Sequence, residues 1–189
     1  MANIYLGLVH YPIYNRNMDV IATSVTNFDI HDISRTARTY DIKKYYLIHP
    51  LEIQAEIIKK VTDYWKNGFG KKYNPDRNNA LKICKYSESI ENTIRDIEKN
   101  EGVRPITITT DARTYPNTIT YQKVRSMSKE DRPILLLFGT GFGIEKEVME
   151  SFDFILEPIY GVGDYNHLCV RSAVAIILDR LLGENWWEK

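Results

Sequence analysis

Ile134-Leu135-Leu136-Leu137-Phe138, followed at once by Gly139-Thr140-Gly141-Phe142-Gly143, decides how this chain folds. An unbroken apolar run closed by glycine has the length and composition of a strand buried on both faces, as in a parallel sheet. Farther along, a second strand over 152–156 ends in Glu157-Pro158-Ile159 and another glycine-bearing loop, and an apolar helix is predicted over 166–182. Two strand-to-loop corners of this kind lie side by side at the carboxyl edge of a sheet, where open α/β folds hold ligands. Glycine lets the backbone approach a bound molecule with no side chain in the way. The pattern predicts a small-molecule pocket built largely from main chain.

Working outward, Asn3–Val9 and Lys44–His49 read as further strands, and Pro105–Thr109 as a fifth. Val20–Thr26 reads as a short strand or extended loop, and Leu81–Tyr86 as a short strand. Asn27 or Asp29 is the expected N-cap of a helix reaching Tyr40, and Ser87 or Ser89 that of an acidic helix ending near Gly102. Pro50 suits the first turn of a helix ending near Lys66. Helices are also expected over 121–129 and 144–150, with polar loops over 13–19 and 111–120. The stretch 67–75, with two glycines, a proline, Phe69 and Tyr73, reads as one long loop. In the last helix Val170, Ala173, Val174, Ile177, Leu178, Leu181 and Leu182 follow helical spacing. The alternation predicts an α/β fold, a mostly parallel sheet with helices on both faces, in one domain over 1–189.

The 189 residues, 43% hydrophobic and 26% charged, are enough for one sizeable core. No apolar run approaches the roughly 20 residues of a membrane span, and no signal peptide precedes Met1-Ala2-Asn3, so a cytoplasmic protein is expected. Cys84 and Cys169 lack metal-ligand spacing and read as free thiols, and His10, His31, His49 and His167 form no HxxxH or HxH set. No metal site is expected.

The net charge of zero is unevenly spread, because residues 35–85 hold 12 Lys/Arg against 5 Asp/Glu. Such a surplus serves either as a solvated face or as a phosphate-contacting surface. Tyr45, Tyr46, Tyr64, Trp65, Phe69 and Tyr73 interleave with these bases. Aromatic stacking beside cationic side chains is how single-stranded RNA is usually held.

Three segments, taken in order, are more specific than the glycine corner alone. They are 29–38 (Asp-Ile-His-Asp-Ile-Ser-Arg-Thr-Ala-Arg), 133–143, and 155–159 continuing to His167-Leu168-Cys169-Val170-Arg171-Ser172-Ala173. They resemble the three motifs of the SPOUT superfamily of S-adenosylmethionine-dependent RNA methyltransferases, and most closely a small branch related to the bacterial tRNA guanine-N1 methyltransferases. The resemblance covers essentially the whole chain. It implies a deep trefoil knot near the C-terminus, which general topology rules do not suggest, and a homodimer with the active site completed across the interface. Trp186-Trp187 suits that interface or a core-capping role equally.

The resemblance also implies S-adenosylmethionine as cofactor, S-adenosylhomocysteine as product, and an RNA substrate, tRNA or rRNA. Leu137, Phe138, Pro158, Ile159, His167 and Leu168, with the backbone of Gly139, Thr140, Gly141, Gly143, Gly161 and Val170, are its expected cofactor contacts. Arg35 falls on the motif-one arginine that organises the acceptor or its phosphate, and Asp164 is the expected base. Asn27, Arg38, Phe69, Tyr73 and Asn166 are expected to touch substrate, with Asn166 also suited to capping the final helix; His167 is a further catalytic candidate.

The chain departs from the family at two points. His167-Leu168-Cys169-Val170-Arg171 replaces the Ser-Leu-Asn-Val-Ser of many sugar-methylating relatives, which favours base over ribose methylation. Gly141 stands where motif two usually carries glutamate. With no separate RNA-binding domain expected, either residues 35–85 recognise the RNA or an auxiliary protein helps. The alternative is a catalytically silent cofactor-binding or assembly module of the same fold. A nucleotide-binding oxidoreductase ranks last, since no early glycine loop follows Ile4–His10.

Overall fold

The computed structural model describes residues 1–163 and 165–184. Its centre is β1 (Ile4–Val9), every residue of which is buried. β1 pairs in parallel with β4 (Lys44–Ile48), from Tyr5↔Lys44 to Val9↔Ile48. On its other side it pairs in parallel with β8 (Ile134–Gly139), from Ile4↔Ile134 to Val9↔Gly139. Beyond these lie β5 (Cys84–Ser87) on one flank and β6 (Ile106–Thr110), β9 (Phe154–Leu156) and β7 (Thr118–Ile119) on the other. The sheet order is β5-β4-β1-β8-β6-β9-β7, all parallel. β2 (Ile13–Tyr14) and β3 (Val20–Ile21) make a separate small antiparallel pair.

Burial on both faces gives two apolar layers. α1 (Ser34–Thr39), α2 (Glu52–Lys66), α6 (Tyr121–Met127) and α8 (Val170–Leu182) cover the face onto which Leu6, Leu8, Tyr45, Leu136 and Phe138 point. α5 (Ile90–Glu101) and α7 (Lys146–Glu150) cover Tyr5, Val9, Tyr46, Leu135 and Leu137. α8 buries Val174, Ile177, Leu178 and Leu181, each contributing about 1.5–3 kcal/mol by leaving water. Tyr46 satisfies its hydroxyl by donating to Asp96 at 2.6 Å, and Tyr5 donates to Glu101.

Local chemistry explains the boundaries. The Ser89 side chain accepts from the Asn92 N–H to start α5, and Gly102, at φ 76, ends it in the left-handed conformation. The helix after Thr26 begins instead with a reciprocal cap: Thr26 Oγ1 accepts from the Asp29 N–H while the Asp29 carboxylate accepts from the Thr26 N–H at 3.1 Å. Neither Asn27 nor Asp29 is therefore the N-cap. Asp29–Ile33 is a π-helical turn leading into α1. A wide turn of this kind is frequently found at functional sites.

Several sequence expectations are corrected. Residues 67–75 are not a loop: α3 (Phe69–Tyr73) is followed directly by α4 (Pro75–Leu81), capped by the Asn74 side chain with Pro75 in the first turn. Pro50 precedes the Leu51 N-cap of α2 instead of opening the helix. Residues 13–19 and 111–120 contribute the short strands β2 and β7. α8 starts at Val170 with Cys169 at the cap, so Asn166 does not cap it. Tyr45 and Tyr46 are fully buried and belong to the core, not to an RNA-facing surface. Among the described residues, no helix is long and apolar enough to cross a membrane.

Candidate functional site

Three loops meet at the carboxyl edge of the sheet, after β6, β8 and β9. The β8 loop is pinned from below by the segment after β1. The Tyr14 N–H donates to Gly143 O at 2.9 Å, the Phe142 N–H to Tyr14 O at 3.1 Å, and the Glu145 N–H to Pro12 O at 3.1 Å. Gly141 (φ 55) and Gly143 (φ 102) take left-handed conformations that glycine adopts without strain. A Cβ on Gly141 would stand 2.9 Å from Ile13 Cγ2 and 3.1 Å from Tyr14 O, and one on Gly143 would stand 3.4 Å from Asp111 Oδ2. At Gly141 the backbone therefore passes where no side chain fits, while at Gly143 the positive φ alone favours glycine. The β9 loop is tied to the β6 loop: Asn166 Nδ2 donates to Ala112 O at 3.0 Å, and the Tyr160 and Thr114 hydroxyls lie 3.2 Å apart.

A buried polar chain holds the β8 loop from within. Thr140 Oγ1 donates to Val9 O at 3.1 Å, so the Thr23 hydroxyl donates to Thr140 and His10 Nδ1–H donates to Thr23 at 3.0 Å. His49 lies 5.9 Å away, ring to ring; its Nδ1 accepts from the Leu51 N–H, and Nε2–H donates to Thr23 O at 3.1 Å. Burial pushes the His10 pKa down to about 4, against the opposing pull of the Asp29 carboxylate, and lowers that of His49. Both rings are neutral near pH 7.

The expected cofactor residues divide. Gly139, Thr140, Gly141, Gly143, Pro158, Ile159, Gly161, His167, Leu168 and Val170 all lie on the β8 and β9 loops or at their ends. Pro158 is buried, Ile159 half-buried, and His167 and Leu168 exposed, and the Cβ direction of Gly161 is open. Leu137 and Phe138 are corrected: their side chains lie in opposite core layers and line no open slot, leaving only their backbone near the edge. Main chain turned by glycines, next to the exposed Leu168 and the half-buried Ile159, suits a flat heteroaromatic ring joined to a charged chain. Asp164, the expected base, lies outside the described residues, as do Trp186 and Trp187.

The motif-one helix joins this edge through Arg171, at the start of α8. Its guanidinium lies 3.8 Å from Asp29, 3.6 Å from Asp32 and 5.1 Å above the Phe28 ring. Arg35, one turn beyond His31, is exposed. Arg38 pairs with Asp41 at 3.0 Å on the surface. Asn27, Phe28, His31 and Asp32 form one wall of a groove of about 550 Å³, with Lys60, Tyr64, Trp65 and Arg77 opposite. Phe69 and Tyr73 stand exposed on α3, stacked with ring centres 6.1 Å apart. A second cavity of about 480 Å³ lies between α5 and α7 and carries Glu88 and Glu91, the wrong charge for a polyanion.

Sequence reasoning missed Thr23, His10, Asp111, Arg113 and Arg171 as site residues, and of the His31–Trp65–Arg77 cluster it singled out only Trp65, among the aromatics interleaved with the bases. Asp111 is nearly enclosed, bonded through both oxygens to Arg113 at 3.0 and 3.1 Å, beside Gly143. Its place directly after a central strand was the available signal. Thr23 and His10 carried none, because their partners are far away in sequence.

Comparison with known proteins agrees with this arrangement. The model of a family described as SAM-dependent RNA methyltransferase matches residues 3–183. An uncharacterized protein of Aquifex aeolicus is 47% identical over 184 residues, covering 97% of this chain and 90% of the relative. A tRNA (guanine-N(1)-)-methyltransferase of Oleidesulfovibrio alaskensis is 43% identical over 182 residues, 96% of this chain but 42% of the relative. The chain thus spans less than half the length of that protein. Among solved structures, the Aquifex aeolicus TrmH/SpoU tRNA modifying enzyme superposes with a TM-score of 0.55 at 16% identity, covering 96% of this chain and 75% of the other. The SpoU methyltransferase AviRb of Streptomyces viridochromogenes, in complex with AdoMet, gives 0.57 at 13% identity, covering 96% and 59%. At these identities the likeness establishes the shared fold.

Proposed function

We propose, from the premise that this chain belongs to the SAM-dependent RNA methyltransferase family, that it transfers a methyl group from S-adenosylmethionine to a base of tRNA or rRNA. The observation that carries the reading is the meeting of the β8 and β9 loops with the β6 loop at the carboxyl edge, where Gly141 and Gly143 turn the main chain through positive φ. When bound, the cofactor supplies a methyl on a cationic sulfonium; its departure as neutral S-adenosylhomocysteine needs no help from a metal.

The chain's own residues then bind and orient. The backbone of Gly139–Gly143 and Gly161 hydrogen-bonds the cofactor, and Pro158, Ile159 and Leu168 wall its ring. The Asp111–Arg113 pair beside Gly143 braces the β6 loop against the glycine corner. Arg35 anchors the acceptor strand through a bidentate phosphate contact, while Asn27, Phe69, Tyr73 and Arg38 belong to the RNA-facing side. Because the transfer demands an in-line acceptor, positioning supplies much of the rate. Asp164 takes the acceptor proton. Base methylation is favoured by the name of the 43% identical relatives. That support is partial, because the name covers proteins more than half of whose length has no counterpart here.

The reading includes a knotted C-terminal segment, a single domain, a cytoplasmic homodimer, and an auxiliary protein where residues 35–85 do not suffice for RNA recognition. Exposed Phe142, Tyr160, Val162 and Leu168 at the site's rim are suited to burial by a second copy. Calorimetric titration with S-adenosylmethionine and S-adenosylhomocysteine, using ATP and NAD as controls, tests the pocket; micromolar binding of the first two alone is expected. Methyl-labelled tRNA and rRNA digested to nucleosides then separates base from ribose products. Cofactor binding with no transfer to either RNA would leave a silent module, and Arg35→Ala should abolish transfer while cofactor affinity holds.

A further inference from the structure

We infer that the groove between the motif-one turn and α2 is a nucleobase pocket, holding one unstacked base of the RNA next to the acceptor. This rests on the methyl-transfer reading only for where the acceptor lies. The walls are aromatic: Phe28 is exposed on one side and Tyr64 on the other. At the back stands Trp65, edge-on to His31 at 5.5 Å and to Tyr64 at 5.2 Å, with the Arg77 guanidinium 4.6 Å over its ring.

What selects the occupant is unmet hydrogen bonding. Arg77 Nε and His31 Nδ1 are both shielded from solvent and have no partner among the described residues. Two such atoms, on side chains that both pack on Trp65 and line one groove, are rare in a finished core and mark a place where a ligand's polar edge belongs. An apolar helix laid in the groove would leave both unsatisfied. A nucleobase offers a flat face for Phe28 and Tyr64 and an edge bearing acceptors for the Arg77 N–H, the arrangement by which arginine reads purines. Burial first, then the Arg77 charge, keeps His31 neutral, so it meets the base as a hydrogen-bonding ring without adding a cation.

Charge and position agree. The groove lies within the segment holding 12 Lys/Arg against 5 Asp/Glu, with Lys60 on its wall. Asp32, its one acidic lining residue, is paired with Arg171. Arg171 also lies over Phe28 and follows directly on the β9 loop, so the groove adjoins the carboxyl edge through this one side chain. An RNA strand thus has a stacking site on one side of Arg171 and the reacting site on the other.

The test is fluorescence polarisation with fluorescein-labelled single-stranded RNA 12-mers of mixed sequence, for wild type, Tyr64→Ala, Arg77→Gln and Arg77→Lys, with cofactor titrations in parallel. Loss of one stacked base should weaken RNA binding on the order of 10-fold or more in Tyr64→Ala. Arg77→Gln should do likewise, and Arg77→Lys should not restore it, since lysine lacks the planar N–H fork. Cofactor affinity should be unchanged in all three. RNA affinities equal to wild type in Tyr64→Ala and Arg77→Gln overturn the proposal. So does a change in sedimentation from dimer to monomer without loss of RNA affinity, which would make the groove an interface between copies. RNA binding that depends on Tyr64 and Arg77 in a protein that binds no S-adenosylmethionine would uphold the pocket while removing the methyl-transfer reading.

Discussion

Thr23 Oγ1 and Thr140 Oγ1 are hydrogen-bonded at 2.5 Å across 117 residues of sequence, joining the segment after β1 to the ligand-facing β8 loop. The proton order along this contact is fixed from its far end: Val9 O takes the Thr140 proton, Thr140 the Thr23 proton, and Thr23 that of His10 Nδ1. Nδ1 is therefore the protonated nitrogen of the neutral ring, while Nε2 is buried with no partner among the described residues, so a proton added there is unsatisfied. The β8 loop is thus hydrogen-bonded, through Thr140 and Thr23, to a titratable group.

The pH dependence follows from the direction of the His10 shift. Its folded pKa is about 4, against an ordinary value of 6.5. Between those values the unfolded chain takes up a proton that the native one refuses, so stability is full above pH 6.5 and falls as pH drops toward 4. His49, also shifted downward, adds in the same direction. The His10 contribution is roughly 3 kcal/mol over the whole window. Urea midpoints measured from pH 7.5 to 4.5 should fall steeply, and His10→Asn, which keeps a donor for Thr23, should flatten the slope. An identical slope in His10→Asn would show that another group titrates.

Gly141→Ala tests the cradle directly. At φ 55 a methyl costs about 1 kcal/mol in backbone strain, and here it would also press within 2.9 Å of Ile13 Cγ2 and 3.1 Å of backbone at Tyr14. Because Ile13 is buried and Tyr14 O is main chain, the loop itself must move. Cofactor affinity should drop at least 10-fold with a total stability loss of about 1–3 kcal/mol. Unchanged affinity with lowered stability would place the cofactor elsewhere.

How much of this was legible in the sequence depends on the range of the interaction. Ile134–Phe138 announced a strand buried on both faces because composition alone carries that signal, and Ser89 and Gly102 announced the ends of α5 because capping is local. Phe69–Leu81 misled: two glycines and a proline read as loop, yet Asn74 and Pro75 between two short helices are cap and first turn. Tyr45 and Tyr46 misled differently, since a tyrosine on a central strand is buried whatever its neighbours in sequence. Two of the three motifs fall on the carboxyl-edge loops, but the contacts that rigidify these segments (Thr23 to Thr140, Arg171 to Asp32, Asn166 to Ala112) span tens of residues or more and leave no local trace.

The two cysteines should differ sharply toward alkylating agents. Cys84 is buried, and burial pushes its thiol up to about 11. Cys169 is exposed at the end of the β9 loop, and the hydroxyl of Ser172, 3.2 Å away, draws its pKa below the usual thiol value. Under native conditions iodoacetamide should label Cys169 alone, as read by peptide mass spectrometry. Saturating S-adenosylmethionine should slow that labelling several-fold, because Leu168 and Val170 flank the thiol. Labelling at equal rates with and without the cofactor would count against this loop as its seat.

Arg171 makes the last prediction, because it is the residue through which the two halves of the site touch. The Asp29 carboxylate is nearly buried and accepts from the Thr26 N–H and hydroxyl, so removing Arg171 leaves it hydrogen-bonded but without its cation. Arg171 itself is about a third exposed, so water screens the pair, and Arg171→Ala should cost no more than about 1 kcal/mol of stability. The larger effect falls on alignment. Without the guanidinium over Phe28 and beside Asp32, the start of α8 and the motif-one turn lose their register, and a displaced acceptor slows an in-line transfer steeply. We expect kcat to fall at least 10-fold while the cofactor's KM changes little, and Arg171→Lys to recover stability but little of the rate, since lysine restores the charge without the flat stack on Phe28. A variant whose cofactor KM rises with kcat unchanged would mean that Arg171 serves the cofactor loop alone and that the motif-one turn is positioned without it.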